Sequence, residues 1–339
     1  AAQNTMNEVI PNMNKIGFLN KKPKPALIRC IICPSSIFLI LTRSYFNPKT
    51  KNEVIREWGT KPTFDYDIKD HKELCEINPE KDGPSGIFNI YEKESEYSLP
   101  DESDEALVLH TSGTTSRPKI VPLTNKNIFS SAENISKSLN LSENDHCLNI
   151  MPLFHIHGLI AILASSMKAG ASVCASNGFN AIKFLDIAKS EKITWYSGVP
   201  TMHQAILLRA RRNLEIAKVL KLRLIRSSSA SLPPVVFKDL NDVFSCPVIE
   251  AYGMTEATHQ MTSNPLPPKQ QKAGFVGLPA GPEVCIMSEN GDIMKQGEEG
   301  EVCIKGENVT LGYENNEEAN KTSFTNGWFR TGDQGYFDE

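Results

Sequence analysis

The sequence predicts a layered α/β unit followed by a smaller β-rich unit. From residue 106 to residue 253, short apolar runs of strand length alternate with longer segments of helical length. After residue 264, short apolar runs are separated by Asn-Gly, Gln-Gly and Glu-Gly pairs, which predict β-hairpins. Alternating strands and helices favour a mostly parallel sheet, so we expect ligands at the carboxyl ends of its strands.

The individual elements follow from the apolar runs. ALVLH (106–110) and IVPLT (120–124) are predicted strands, and Asn125 is the predicted cap of a helix that runs to about Leu139. The next predicted strands are CLNIMPLF (147–154), ASVCAS (171–176), ITWYSGV (193–199), LRLIRSSSA (222–230) and PVIEAYG (247–253). The predicted helices between them are GLIAILASSMKAG (158–170), AIKFLDIAKSEK (181–192), PTMHQAILLRARR (200–212) and LPPVVFKDLNDVF (232–244). We therefore expect an amino-terminal segment and linker over 1–105, the α/β region over 106–263 and the β-rich region over 264–339.

Composition bounds the class of protein. A chain of 339 residues is long enough for a large core, and its net charge of −4 gives no support to a nucleic-acid partner. Most of its eight cysteines lie in apolar runs, which indicates reduced, buried thiols; the lone pair Cys30 and Cys33 is weak evidence for a zinc or redox site. The first twenty residues are polar, so no secretory signal is predicted. The apolar stretch 26–42 is interrupted by Arg29 and Pro34 and is predicted as a core element, not a membrane span.

The segment LHTSGTTSRPKIVPLT, residues 109–124, places a hydroxyl-rich loop between two predicted strands. Hydroxyl and backbone N–H groups suit phosphate oxygens, the glycine permits tight curvature, and the lysine adds a cation. The loop is not a Walker A loop, because the second glycine and the hydroxyl residue after the lysine are missing. The predicted phosphate-binding residues are Thr111, Ser112, Gly113, Thr114, Thr115, Ser116 and Lys119.

Two further segments carry functional side chains in predicted loops. EAYGMTEATH, residues 250–259, follows an apolar strand. GWFRTGDQGYFDE, residues 327–339, places Asp333 in a predicted tight turn flanked by glycines, where a carboxylate can accept two hydrogen bonds from a ribose diol. Taken singly, each segment is also compatible with an ordinary turn.

Taken together and in this order, the three segments resemble the acyl-adenylate-forming enzymes: acyl-CoA synthetases, the adenylation domains of peptide synthetases and luciferases. The resemblance covers about Asp104 to Glu339 and implies ATP, Mg²⁺ and coenzyme A as reactants and cofactor. It implies an adenine pocket and ribose contact formed by Glu250, Ala251, Tyr252, Gly253 and Asp333. It also implies catalytic roles for Lys119 at the β- and γ-phosphates, Thr255 at the α-phosphate and Glu256 at Mg²⁺.

The segments expected to line the acid pocket are polar. MPLFHIHG supplies two histidines, IRSSSASL a run of serines, and EATH a third histidine. Burial of unpaired polar groups is costly, so this lining disfavours a fatty-acyl tunnel and favours a small anionic acid. The same segments resemble the oxalate–CoA ligases of plants and fungi, which implies carboxylate contacts from His155, Ser229, Ala230 and His259. For His157 we expect a satisfied core residue.

Three departures from the family pattern bear on activity. Ile120 stands where the family usually has glycine, and residues 1–105 show no evident match to the family. The chain ends at Glu339, without the hinge, the lysine and the smaller carboxyl-terminal lid domain that family members carry. The resemblance therefore implies nucleotide binding with weak or absent turnover by this chain alone.

Alternative functions remain open at this point. One is a medium- or long-chain acyl or aryl ligase; another, of a different class, is a non-catalytic adenylate-binding module or fragment. A redox or zinc module built on Cys30 and Cys33 is a further alternative. The expected partners are small molecules, with no nucleic acid and no membrane span. The expected compartment is the cytosol, with the peroxisome as the alternative, and the sequence does not predict the oligomeric state.

Overall fold

A computed structural model describes residues 101–111, 118–176 and 178–338 of the chain. It also describes the backbone of three short strands nearer the amino terminus. These strands are β1 (Leu27–Ile28), β2 (Glu76–Ile77) and β3 (Phe88–Asn89).

Strands and helices alternate through the described α/β region, as the apolar runs predict. The remaining strands are β4 (Glu105–His110), β5 (Ile120–Thr124), β6 (His146–Asn149), β7 (Ser172–Ala175), β8 (Trp195–Gly198), β9 (Leu224–Ser227), β10 (Val248–Met254), β11 (His259–Ser263), β12 (Leu278–Pro279), β13 (Glu283–Met287), β14 (Gly300–Lys305), β15 (Phe324–Thr325) and β16 (Trp328–Gly335). The helices are α1 (Asn125–Ser138), a π-helix (His157–Ala164), α2 (Ser165–Lys168), α3 (Ala181–Ser190), α4 (Pro200–Arg211), α5 (Leu214–Val219), α6 (Pro234–Phe244), a 3₁₀ turn (Thr255–Ala257) and α7 (Glu317–Ser323).

The largest sheet among the described residues has eight strands in the order β1-β7-β6-β8-β9-β10-β11-β12. Its central strands, from β7 to β10, are parallel to one another, which confirms the predicted parallel sheet. The flanking strands β1, β11 and β12 are antiparallel to their neighbours. The carboxyl ends of β6, β8, β9 and β10 therefore meet at one edge of the sheet, where we expect the site.

The central strands are buried on both faces. Neighbouring residues along a strand point to opposite faces, and Trp195 packs in one hydrophobic cluster while Tyr196 packs in the other. Leu224 packs in the same cluster as Trp195, and Ile225 packs in the same cluster as Tyr196. Helices cover both faces, which explains why these strands are almost continuously apolar instead of alternating.

Helix α1 begins one residue earlier than the predicted cap implies. Thr124 is the capping residue: its hydroxyl accepts from the backbone N–H of Asn127 at 3.2 Å, and the Asn127 side chain accepts from the N–H of Thr124 at 2.9 Å. The prediction that Asn125 caps the helix is wrong, because Asn125 is already helical and Thr124 holds the extended backbone that a cap requires.

Two predicted elements differ from the observed ones near the site. The strand predicted over 147–154 ends at Asn149, whose side chain accepts from the N–H of Met151 and turns the chain. The helix predicted over 158–170 begins as a π-helix at His157 and becomes α-helical only at α2. Gly158 is needed at this start, because a Cβ there would lie 2.4 Å from the carbonyl oxygen of Pro152.

The β-rich region forms a second sheet in the order β13-β14-β16-β15. Strands β13 and β14 pair antiparallel, which confirms the hairpin predicted from the glycine-containing pairs. Helices α5 and α7 and strands β11 and β12 are absent from the sequence predictions. Because β12 joins the large sheet through β11, part of the region after residue 264 packs with the α/β region. The boundaries at residues 105 and 263 stay predictions.

Cysteines and charges inside the described region fit an ordinary reduced core. The cysteines there, Cys147, Cys174, Cys246, Cys285 and Cys303, are free and buried, as predicted. Cys30 and Cys33 lie outside the described residues. An ion pair joins the buried carboxylate of Asp145 to the partly exposed Arg223 through Nε–Oδ1 and Nη2–Oδ2 contacts of 2.9 and 3.0 Å. In the part of the chain that the structure describes, no helix is long and apolar enough to cross a membrane.

Candidate active site

The predicted site residues gather at the carboxyl edge of the parallel sheet. His155 lies in the loop after β6, Ser229 directly after β9, and Glu256 in the 3₁₀ turn after β10. His259 begins β11, which pairs back onto β10. Three segments far apart in sequence therefore bring their polar residues to one place, as expected for a layered α/β fold.

A polar cluster, formed by Ser197, Arg226, His157, Ser229 and His259, occupies this edge. Nδ1 of His157 lies 3.0 Å from the Ser229 hydroxyl, and Nε2 lies 2.6 Å from the Ser197 hydroxyl. The rings of His157 and His259 are tilted, with centroids 5.1 Å apart. His157 is fully buried with both nitrogens paired, as expected, but one of its partners is a predicted acid contact.

His155 lies on the solvent-exposed side of the polar cluster. Its Nδ1 accepts from the backbone N–H of His157 at 3.0 Å, while the side chain is exposed. Ser229 and Ala230 are exposed as well, whereas His259 is buried. The structure thus brings His155, Ser229 and His259 together around His157, with the two outer residues open to solvent.

Arg226 supplies the charge of the polar cluster. Its side chain is fully buried, Nη2 donates to Oε1 of Gln260 at 3.1 Å and Nη2 also lies 3.4 Å from Nδ1 of His259. Nη1 lies 3.4 Å from the Ser197 hydroxyl, and Nε has no partner among the described residues. Burial lowers the pKa of Arg226 to about 9, so the guanidinium stays protonated at neutral pH.

The buried histidines are neutral. Burial lowers the pKa of His157 and of His259 well below the ordinary value, and the charge of Arg226 lowers both further. Burial also lowers the pKa of His203, a fully buried neighbour of β8, to about 4. At neutral pH the cluster therefore combines one positive charge with uncharged imidazoles.

Backbone geometry at the cluster is unusual. Ser229 has φ 70° and His259 has φ 98°, a region that residues with a Cβ seldom adopt. The pairing of β10 and β11 shifts register between Tyr252 and Gly253, next to the pair formed by Met254 and His259, and Gly253 makes the close approach possible. A Cβ on Gly253 would lie 1.8 Å from the carbonyl oxygen of His259. Strained positions of this kind persist where surrounding packing holds them, often at functional sites.

The expected adenine and ribose residues are also in contact. The Tyr252 hydroxyl donates to Oδ2 of Asp333, which joins the end of β10 to β16. Glu250 is buried, accepts from the N–H of Gly274 at 2.9 Å and has a pKa raised by burial, while the carbonyl of Ala251 accepts from the Ser228 hydroxyl. Asp333 lies within strand β16 and not in the predicted tight turn, because Gly332 with φ 80° only interrupts the pairing locally.

Glu256 is held by a tyrosine that the sequence interpretation did not single out. The Tyr313 hydroxyl donates to Oε1 of Glu256 at 2.8 Å, and the ammonium group of Lys119 lies 4.4 Å from the centre of the Tyr313 ring. Lys119, Tyr313 and Glu256 are therefore adjacent. Thr255 opens the 3₁₀ turn that carries Glu256, and its carbonyl accepts from the N–H of Thr258.

The residues present fit a nucleotide-bound Mg²⁺ ion. Oε2 of Glu256 has no hydrogen-bond partner within the described region, and no cluster of three or more His, Cys, Asp or Glu side chains lies there. Mg²⁺ sites at nucleotides typically use one or two carboxylates together with phosphate oxygens and water. One available carboxylate beside a lysine is compatible with that pattern.

The predicted phosphate loop is described only at its ends. Thr111 and Lys119 pair through two backbone contacts: the N–H of Thr111 donates to the carbonyl of Lys119 at 2.9 Å, and the Thr111 hydroxyl accepts from the N–H of Lys119 at 3.1 Å. Ile120 starts β5 in extended backbone, which suits a β-branched residue. Ser112, Gly113, Thr114, Thr115 and Ser116 lie outside the described residues.

Sequence reasoning missed Arg226, Ser197 and Tyr313. A signal was present for Arg226, because a charged residue stands inside the apolar run LRLIRS of a strand that is buried on both faces. Ser197 and Tyr313 carry no comparable signal, since their partners lie 40 and 57 residues away in sequence.

Comparison with known proteins identifies the family. The chain matches the family of AMP-binding enzymes over residues 28–314. It belongs to this family. The oxalate–CoA ligase of Arabidopsis thaliana is 54% identical over 238 residues, which are 69% of this chain and 46% of that protein. The oxalate–CoA ligase of Saccharomyces cerevisiae is 48% identical over 238 residues, which are 70% of this chain and 43% of that protein.

A solved structure with a related sequence shares the fold. It is o-succinylbenzoate coenzyme A synthetase of Bacillus subtilis in complex with ATP and magnesium ion, with a TM-score of 0.64 and 32% identity over 71% of this chain and 49% of that one. The family match begins at residue 28, so the expectation that residues 1–105 show no match is wrong for most of that segment. The chain spans about half the length of the curated relatives it matches.

Proposed function

We propose that this chain forms the nucleotide- and acid-binding portion of an ATP-dependent acid–CoA ligase whose acid is oxalate. The observation that carries the proposal is the polar cluster at the carboxyl edge of the sheet, directly beside the segment expected to bind the nucleotide. His157 contacts Ser229 and packs against His259, so two of the predicted acid contacts share one polar wall. The similarity to oxalate–CoA ligases supports the same substrate.

The nucleotide half of the proposal rests on two contacts. The hydrogen bond between Tyr252 and Asp333 brings the proposed adenine and ribose residues together. The adjacency of Lys119, Tyr313 and Glu256 keeps a cation and a carboxylate together where triphosphate and metal would meet. In this proposal Glu256 holds Mg²⁺, which would neutralise phosphate charge and orient the triphosphate.

The proposed reaction has two steps. One carboxylate oxygen of the acid attacks the α-phosphorus of ATP and forms an oxygen–phosphorus bond, while the bond from that phosphorus to the α,β-bridging oxygen breaks; acyl-AMP forms and pyrophosphate leaves. The thiolate of coenzyme A then attacks the activated carbonyl carbon and AMP leaves. Lys119, Thr255 and the hydroxyl loop would position the phosphates and offset their charge, which is the main contribution a protein makes to such a transfer.

The acid is proposed from the lining of the cluster. His155, Ser229 and His259 offer imidazole and hydroxyl groups, and Ala230, next to Ser229 in sequence, adds a small side chain. A long acyl chain against these groups would leave them without hydrogen-bond partners, which costs free energy. A medium- or long-chain fatty acid is therefore the weaker candidate. An adenylate-binding module without turnover is the candidate of another class.

Calorimetric titration tests both halves of this proposal. We expect the chain to bind ATP with Mg²⁺ and then to bind oxalate, with no comparable response to a fatty acid of medium length. His259→Ala should abolish the oxalate response and keep nucleotide binding. Nucleotide binding without oxalate binding by the unaltered chain would refute the substrate, and failure to bind nucleotide would refute the ligase assignment.

A further inference from the structure

Arg226 is a buried charge without a counter-ion among the described residues. Arg211, Arg223 and Arg330 each form a salt bridge with a carboxylate, whereas the polar partners of the Arg226 side chain within the described region are a hydroxyl, an imidazole and an amide. An uncompensated buried charge is costly, and a protein normally pairs or removes it. A buried positive charge at the carboxyl edge of the sheet therefore favours the binding of an anionic ligand there.

The contact to His259 determines which ring nitrogen carries the proton. A guanidinium has only donors, so the nitrogen facing Nη2 of Arg226 across 3.4 Å must present its lone pair. That nitrogen is Nδ1. A neutral His259 then carries its proton on Nε2, for which we find no hydrogen-bond partner within the described region.

The contact between Arg226 and the Ser197 hydroxyl determines the donor and acceptor roles in a longer chain of hydrogen bonds. Nη1 of Arg226 donates to the Ser197 hydroxyl, and the only other polar contact of that hydroxyl among the described residues is with Nε2 of His157 at 2.6 Å. The Ser197 hydroxyl therefore donates its hydrogen to Nε2 of His157. His157 then carries its proton on Nδ1 and donates to the Ser229 hydroxyl at 3.0 Å, which leaves the Ser229 hydrogen available.

We propose that Arg226 is a positioning and specificity-determining residue: through Ser197 and His157 on one side and His259 on the other, it turns two donors toward the acid. The donors are the Ser229 hydroxyl and Nε2 of His259. The buried positive charge of Arg226 then favours an acid with two negative charges over an acid of the same shape with one. This assignment rests on the proposed function for its ligand, but the proton positions do not depend on it.

The proton positions are testable without any ligand. Long-range hydrogen–nitrogen correlation NMR of the chain labelled with ¹⁵N-histidine separates protonated from unprotonated ring nitrogens, and loss of signals in His157→Gln and His259→Gln assigns the two rings. We expect opposite tautomers, with the proton on Nδ1 in His157 and on Nε2 in His259. The same tautomer in both rings would overturn the proposal, and no Arg226 variant is needed for this result.

The charge preference is tested with two ligands of one shape. Oxalate carries two carboxylates, and oxamate replaces one of them with a neutral amide. In the presence of Mg²⁺ and a non-hydrolysable α,β-methylene analogue of ATP, we expect the unaltered chain to bind oxalate at least about tenfold more tightly than oxamate. Arg226→Met should bind oxalate and oxamate equally, and both more weakly than the unaltered chain does, because the two donors lose the contacts that orient them.

Control variants separate this role from a merely structural one. Arg211→Met removes the same charge from the surface, where Arg211 pairs with Asp239, and should keep the full preference for oxalate. Arg226→Lys keeps a positive charge at the same position and should also bind oxalate more tightly than oxamate. This variant shows whether a loss of preference in Arg226→Met comes from the lost charge or from misfolding. If Arg226→Lys loses the preference while nucleotide binding is normal, or if the unaltered chain does not discriminate, the charge assignment is refuted. Opposite tautomers with no oxalate binding would refute the proposed substrate alone.

Discussion

Mild acid should destabilise this fold strongly, because three histidines are buried in the neutral form. His157, His203 and His259 are each at most 2% exposed, and burial lowers the pKa of all three. In the unfolded chain these groups regain the ordinary value of 6.5. Below that pH the histidines are protonated in the unfolded chain but stay neutral in the folded chain, so the free energy of unfolding falls as the pH falls.

The size of the effect follows from the proton balance. At about pH 5.5, one unit below the pKa of histidine in the unfolded chain, each histidine that stays neutral in the fold lowers the free energy of unfolding by about 1.4 kcal/mol. The three together lower it by about 4 kcal/mol. His203, with a pKa of about 4, remains neutral in the fold at that pH. Because domains are stable by only about 5–15 kcal/mol, this loss is a large share of the total.

Urea unfolding at a series of pH values measures this loss. Trp195, which is fully buried in β8, provides a fluorescence signal for the transition. His203→Gln removes one titrating group while keeping a polar side chain beside Tyr196, and should reduce the loss to about 3 kcal/mol. If the free energy of unfolding of the unaltered chain changes by less than about 1 kcal/mol between pH 7 and pH 5.5, the histidines accept protons in the fold and the reasoning fails.

Three further substitutions probe the site and its support. Gly253→Ala places a Cβ against the His259 carbonyl, so we expect about 1–3 kcal/mol of lost stability, measured by urea unfolding, and weakened binding of both nucleotide and acid. Tyr313→Phe removes the hydrogen bond to Glu256 and should weaken binding of ATP several-fold by calorimetry in the presence of Mg²⁺ but leave binding without the metal unchanged. Asp145→Asn breaks the ion pair with the partly exposed Arg223 and should cost about 1–2 kcal/mol of stability by urea unfolding, with unchanged nucleotide affinity at a temperature where the variant is folded. Unchanged stability in the first or third variant, or an equal loss with and without Mg²⁺ in the second, would contradict the corresponding contact.

The order of strands and helices could be predicted because local periodicity reports it. Strands buried on both faces are continuously apolar, and helices of 10 to 14 residues such as α1 and α3 show their length and caps in the sequence. Errors arose where a side chain ended an element early. Asn149 stops β6 by accepting from the N–H of Met151, and that single contact is invisible in the apolar run that continues after it.

The sequence by itself determined the parallel sheet, the hairpin and the segments that carry Tyr252, Glu256 and His259, because each depends on residues close together in the chain. Only the tertiary structure decided how the site is held. Tyr252 meets Asp333 across 81 residues, His157 meets Ser229 across 72, and Tyr313 meets Glu256 across 57. Hydrogen-bond direction and the cost of burying Arg226 depend on which distant groups surround each atom, and that environment exists only after the layers have packed.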